Sequence, residues 1–168
     1  ATMFEDDGAG SVSLGSTYLF SLTDVATPSF LRDLYHMPKA EVTHGSNQSL
    51  VEFYGEFYSN SDLSTFLELN GLPPQYLPAE NVNGDLVNDE SNPGGEAQLD
   101  VEVIMSLAPA ETYFYSYSDL NKFSPENEGF LTWLQDVASQ EFPPLVFSVS
   151  YGDIESVVFD ANNSTAYE

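Results

Sequence analysis

Glu96 and Asp100, four residues apart in Gly94-Gly95-Glu96-Ala97-Gln98-Leu99-Asp100-Val101-Glu102-Val103-Ile104-Met105, are the side chains here best spaced for chemistry. On a helix that spacing stacks them one turn apart on a single face. Val103, Ile104 and Leu107 continue near that face, so the helix is expected to be largely buried. Two like charges on an apolar surface cost free energy unless they share a proton or find partners, and the pair is expected to titrate as a coupled unit. A carboxyl pair coupled in this way is a candidate for chemistry. The plain alternative is a solvated acid in a first turn, favoured by the helix dipole. Spacing alone leaves both readings open.

The helix carrying the pair spans about residues 95–107 and is ended by Pro109. Around it, hydrophobic periods of two and of 3.6 alternate along the chain. Thr27-Pro28 reads as an N-cap with proline in the first helical position, opening a short helix through Leu31, Leu34 and Tyr35. Residues 49–54 suit a strand, and Ser61 reads as the cap of a helix through Leu63, Phe66 and Leu67 that Asn70-Gly71 ends. Residues 72–95, with Pro73-Pro74, Pro78, Asn83-Gly84 and Pro93-Gly94-Gly95, read mostly as loop. Tyr113 to Tyr117 predicts a strand. Glu128 to Gln140 predicts an amphipathic helix with Phe130, Leu134 and Val137/Ala138 on one stripe, and Leu145 to Ser150 predicts an apolar strand. Alternating strands and helices predict an α/β fold around a largely parallel sheet, with chemistry at the carboxyl ends of strands, after Phe53 and Ser150. Residues 1–17, Gly/Ser-rich and acidic, read as an arm ahead of one domain over 18–168.

With 42% hydrophobic residues, 12 Phe and 10 Tyr, the 168-residue chain has the composition of a folded domain rather than a disordered one. Its charge is lopsided. There are 27 acidic residues against three basic ones, Arg32, Lys39 and Lys122, for a formal net charge of −24 at pH 7. That surface repels nucleic acid and anionic membranes, so neither is expected as a partner. The acidity can serve solubility alone. It also suits an acidic compartment, because near pH ~4 many carboxylates are protonated and the self-repulsion is relieved. Without cysteine there is no disulfide or thiolate chemistry. No apolar run approaches the roughly 20 residues of a membrane span. Ala1 to Asp7 is not a signal peptide and reads as a processed end. Asn47, Asn162 and Asn163 begin N-glycosylation triplets.

Four words occur in a telling order. Thr27-Pro28-Ser29-Phe30-Leu31-Arg32-Asp33-Leu34-Tyr35 comes first, then Val51-Glu52-Phe53 with Tyr58-Ser59-Asn60-Ser61-Asp62-Leu63 and Phe66. Gly95-Glu96-Ala97-Gln98-Leu99-Asp100 and Ser148-Val149-Ser150-Tyr151-Gly152-Asp153-Ile154-Glu155 follow. Over about residues 27–155 this series resembles the sedolisin family of serine-carboxyl peptidases. The resemblance implies a subtilisin-like fold, of which this chain is about half, and a Ser-Glu-Asp triad. In that triad Glu96 is the general base and Asp100 the residue that holds it. Less firmly, it implies a supporting role for Glu52 and a place beside the substrate for Tyr151. His36 and His44 match nothing catalytic and read as surface or loop residues.

The family's "SGTS" nucleophile word and "SGD" oxyanion word are missing here, and the calcium site of the family also belongs to the part not matched. The resemblance therefore implies a second chain of the same precursor, carrying the catalytic serine and the oxyanion aspartate, with calcium bound there and no metal in this chain. It further implies protein or peptide substrates and a secreted or lysosome-like acidic setting. Two other readings stay open: an inactive truncation, or a non-catalytic acidic domain that associates with calcium through loops such as Asp85 to Glu90, which lack EF-hand spacing.

Overall fold

The computed structural model describes residues 26–38, 45–118 and 129–152, and the backbone of strands at 5–6, 11–14 and 18–21. It divides into two units, Ala1–Met37 and Pro38–Glu168. In the first, β1 (Glu5–Asp6), β2 (Ser11–Leu14) and β3 (Tyr18–Ser21) form an antiparallel sheet in that order. Helix α1 (Pro28–Leu34) follows. The Thr27 hydroxyl accepts from the backbone N–H of Phe30 at 3.2 Å and Pro28 fills the first turn, as the sequence predicts. His36 lies exposed in the turn after α1, with φ 51°; His44 falls outside the described residues.

The second unit holds the parallel sheet that the alternation predicts, flanked by helices. Its strands β4 (Asn47–Glu52), β5 (Val82–Gly84), β6 (Glu111–Ser116) and β7 (Phe147–Val149) lie in the order β5-β6-β4-β7. Helices α2 (Asn60–Leu69) and α3 (Gly95–Leu107) share a core with one face of the sheet, built on Leu50, Leu63, Leu67, Val101 and Phe114. Helix α4 (Phe130–Ser139) packs on the other face against Val51, Phe53, Tyr115 and Tyr117. Strand side chains alternate between these two cores, as a period of two requires. Leu63, Val101 and Phe114 are fully buried, each worth about 1.5–3 kcal/mol of apolar transfer.

Several boundaries differ from the sequence reading, each for a local reason. Ser59, not Ser61, caps α2, its hydroxyl accepting from the N–H of Asp62 at 3.2 Å. The helix begins earlier because buried Asn60 is tied down on both sides, donating to the Leu77 carbonyl at 3.0 Å and accepting from the Leu77 N–H at 3.0 Å. Asn70 and Gly71, at φ 63°, close α2 as predicted. Within the stretch read mostly as loop, a 3-10 turn (Ala79–Asn81) feeds β5, which pairs with β6. On α4 the inward stripe is Phe130, Trp133 and Val137, while Leu134 is 48% exposed. Leu145 and Val146 are also exposed, so the last strand begins at Phe147.

Candidate active site

Strand register sorts the side chains facing α2 and α3 into three cross-strand rows. Gln48 lies opposite Thr112, Leu50 opposite Phe114, and Glu52 opposite Ser116. Strand β5 extends the second row with Val82 and the third with Gly84. On the other side β7 pairs Leu50 with Ser148 and Val51 with Val149, which brings Ser150 alongside Glu52 at the end of the third row. The polar third row, Gly84-Ser116-Glu52-Ser150, thus stands at the carboxyl ends of the parallel strands, where α/β sheets collect ligands.

Helix α3 brings Asp100 to that row. Its buried edge is Ala97, Val101 and Met105, spaced i, i+4, i+8. This corrects the expectation of a largely buried helix: Glu96 is exposed and Asp100 half-buried. Val103, Ile104 and Leu107 join Leu50, Ser148 and Asp100 around an open groove of about 230 Å³. Asp100 is the acid drawn into the row. The Ser150 hydroxyl donates to Asp100 Oδ2 at 2.5 Å.

Glu52 meets Asp100 from the sheet side. It is 4% exposed, and burial is the main reason its carboxyl is raised from the ordinary 4.5 to about 8. The negative charges of Asp100, Glu96 and Glu56 push the same way, as does a side-chain hydrogen bond with Asp100. Glu52 therefore carries a proton at acid and neutral pH, and a protonated carboxyl can donate to the carboxylate beside it. Its other oxygen, Oε1, is buried and has no hydrogen-bond partner.

The start of α3 is held from outside the helix. Gly94 at the N-cap has no side chain to offer, and the Glu56 carboxylate accepts from the N–H of Ala97 at 3.4 Å. A Cβ on Gly94 would fall into that carboxylate, so glycine is what admits it. An acid at a helix N-terminus is favoured by the dipole.

The remaining sequence candidates lie elsewhere. Tyr151 belongs to an aromatic cluster on the α4 side, with ring centroids 5.3 Å from Phe53, 5.7 Å from Phe130 and 5.6 Å from Tyr54. Its hydroxyl meets that of Tyr54 at 3.0 Å. Asn47 is half-buried at the start of β4 and accepts from the Leu145 N–H at 2.9 Å. Asn162 and Asn163 fall outside the described residues. In the Asp85–Glu90 loop, Asp85 accepts from the N–H and hydroxyl of Ser118, and Glu90 from Asn60. Among the described residues no group of three or more His, Asp or Glu is arranged to hold a metal ion.

Sequence reasoning missed Ser150, Ser116 and Glu56. Ser150 was visible inside the Ser148-Val149-Ser150-Tyr151-Gly152 word, without a role. Ser116 carries no signal of its own, because a serine between Tyr115 and Tyr117 looks like ordinary strand alternation.

The parallel four-stranded sheet flanked by helices is consistent with an α/β subtilisin-like fold, and a carboxyl cluster stands at its strand ends. No family model matches the chain. Curated proteins do. The chain is 40% identical over 118 residues to tripeptidyl-peptidase 1 of Dictyostelium discoideum, covering 69% of the chain and 18% of that protein. It is 34% identical over 134 residues to the Mus musculus protein of the same name, covering 77% and 23%. Against the Homo sapiens one the figures are 31% over 139 residues, covering 80% and 24%. The chain belongs to the sedolisin family, and it spans about a fifth to a quarter of the length of the curated relatives it matches.

Proposed function

We propose that this chain supplies the Glu-Asp part of a Ser-Glu-Asp triad in an acid-acting peptidase. The observation that carries the reading is Asp100, caught between Glu52 and Ser150 at the carboxyl end of the sheet, one helical turn from exposed Glu96. Glu96 is the general base. It takes the proton of a serine hydroxyl as the oxygen attacks the peptide carbonyl, then returns it to the leaving amine. Asp100 orients Glu96, and protonated Glu52 with Ser150 holds Asp100. A carboxylate base works in acid, where imidazole would be charged and useless as a base. The oxyanion donor is a protonated aspartate outside this chain, which also favours low pH.

The serine and that aspartate are assigned to a second chain from the same precursor. Three features support this. The groove beside α3 is apolar and open, Phe142, Leu145 and Val146 are exposed, and β7 pairs only with β4 among the described strands. An open parallel edge beside exposed apolar side chains is a surface that wants covering. The substrates are proteins or peptides, the setting is an acidic compartment, secreted or lysosome-like, and Asn47 is a candidate for a glycan. The name of the relatives suggests release of tripeptides, which the masses of products from a defined peptide would distinguish from internal cleavage. Calcium, implied in the part of the family beyond this chain, finds no ligand group among the described residues. The reaction is derived without it.

Intact mass of the native material before and after denaturation tests the second chain, and a single 18.5 kDa species in both would overturn it. Activity is expected to peak at roughly pH 3–5. In the assembled enzyme Glu96→Gln should lower kcat by about 10³-fold or more without loss of fold. Near-normal turnover in that variant, or an optimum in alkali, would sink the assignment.

A further inference from the structure

Two buried polar atoms without partners belong to neighbouring residues of one strand pair. Glu52 Oε1 and Ser116 Oγ have no hydrogen-bond partner, while Ser116 is 0% and Glu52 4% exposed. They belong to cross-strand neighbours in the parallel β4–β6 ladder, so both side chains leave the sheet on the same face, from strands about 4.8 Å apart. Leaving two such groups unpaired in a core is costly, and native proteins avoid it almost everywhere. Ser116 cannot move away from the site through its backbone. Its carbonyl accepts from the N–H groups of Asp85 and Leu86, and the next residue, Tyr117, donates to the Glu52 carbonyl at 3.0 Å. A Ser116 hydroxyl turned toward Glu52 would give both atoms a partner at once.

We infer that Ser116 is a positioning residue of the carboxyl site: its hydroxyl donates to Glu52 Oε1 and so fixes the protonated oxygen of Glu52 toward Asp100. This rests on the proposed role of Asp100. The line of hydrogen bonds then runs Ser116 to Glu52 to Asp100, with Ser150 arriving at Asp100 from the other side. A Glu52 free to rotate would spend part of its time with its proton turned from Asp100. A Glu52 held at Oε1 presents one oxygen to each neighbour. The charged groups acting on Glu52 are Asp100 and Glu96 from α3 and Glu56 from the loop after β4, and its strand-register neighbours are Ser116 of β6 and Ser150 just after β7. Among these, Ser116 is the donor available to Oε1.

The test uses the full enzyme and reads Glu52 itself. Infrared difference spectroscopy follows the C=O band of a protonated buried carboxyl, assigned by its disappearance in Glu52→Gln. In Ser116→Ala that band should move to higher wavenumber, because the carbonyl oxygen loses a donor. The titration of Glu52 should move upward as well, since the lost bond favoured the ionised form more than the neutral one. kcat should fall about fivefold to tenfold with KM unchanged, the worth of one positioning hydrogen bond. Ser116→Cys, close in size and a weak donor, should lie between alanine and the parent, and it keeps the test usable if alanine fails to fold. An unmoved band and titration in both variants would overturn the inference, even if activity fell. Because the band is read without turnover, a failure here is separate from a failure of Glu96 as the base.

Discussion

Gln48 and Thr112, at the amino ends of β4 and β6, are 6% and 3% exposed, much like Glu52 and Ser116 at the carboxyl ends of the same strands. Both pairs face the same core, separated by the apolar row of Leu50 and Phe114. Their polar atoms fare differently. Gln48 donates to the Ala108 carbonyl at 2.7 Å and to Thr112 Oγ1 at 3.1 Å, and Thr112 donates to the Ala110 carbonyl at 3.0 Å. The carboxyl-end pair keeps an unpartnered oxygen on each member and an acid raised to about 8. The first pair stitches the sheet to the loop after α3 with neutral groups. The second gathers ionisable groups at the end where α/β sheets bind ligands.

The comparison can be broken most severely at Gly84, the β5 member of the carboxyl-end row. Its φ is 104°, and a Cβ would fall onto the backbone carbonyl oxygen of Ser116, which has no room to yield. Gly84→Ala should therefore cost on the order of 3 kcal/mol by combining backbone strain with a clash. It should also disturb Glu52 through Ser116. Denaturant unfolding measures the loss, and a change below about 0.5 kcal/mol would mean that the row is not held from β5.

Glu52→Gln should come next and should depend on pH. The folded carboxyl titrates at about 8 against an ordinary 4.5, so between these values the folded chain holds a proton that the unfolded chain has released. The stability this confers is complete below the ordinary value and is lost as pH rises to the folded one, by up to about 1.4 kcal/mol per pH unit. The glutamine cannot ionise. The variant's stability relative to the parent should thus rise across this window, and two parallel unfolding profiles would show that Glu52 is not the titrating group.

How much of this was readable beforehand depended on what fixes each feature. Helix α3 runs from Gly95 to Leu107, as its glycines, apolar period and Pro109 indicate, because those signals are local. The Glu96–Asp100 spacing was equally visible. Strand β5 was not, since Val82-Asn83-Gly84 is three residues among turn formers and becomes a strand only by pairing with β6. On α4, Leu134 and Trp133 both fit a helical stripe, and the aromatic wall of Phe53, Phe147 and Tyr151 decided for Trp133. The third row was hidden for a related reason. Strand register joins Glu52 to Ser116 over 64 positions, and no local pattern encodes register between parallel strands.

The smallest effect is expected at the amino-end pair, and its value lies in being flat. Thr112→Val keeps the branched shape that suits a strand while removing the hydroxyl. Gln48 would lose one of its two acceptors but keep the Ala108 carbonyl at 2.7 Å, and the Ala110 carbonyl would lose a donor. Two hydrogen bonds are lost, each worth about 1 kcal/mol net, so unfolding should register a loss of about 1–2 kcal/mol. Neither Gln48 nor Thr112 titrates, and the loss should be the same at every pH between the ordinary and folded values of Glu52. Activity should be unchanged at saturating substrate, because the pair stands at the opposite end of the strands from Asp100. A loss that grew or shrank across the window in which Glu52 titrates would mean that the two rows are coupled through Leu50 and Phe114. The division into a satisfied scaffold row and an ionisable working row would then fail.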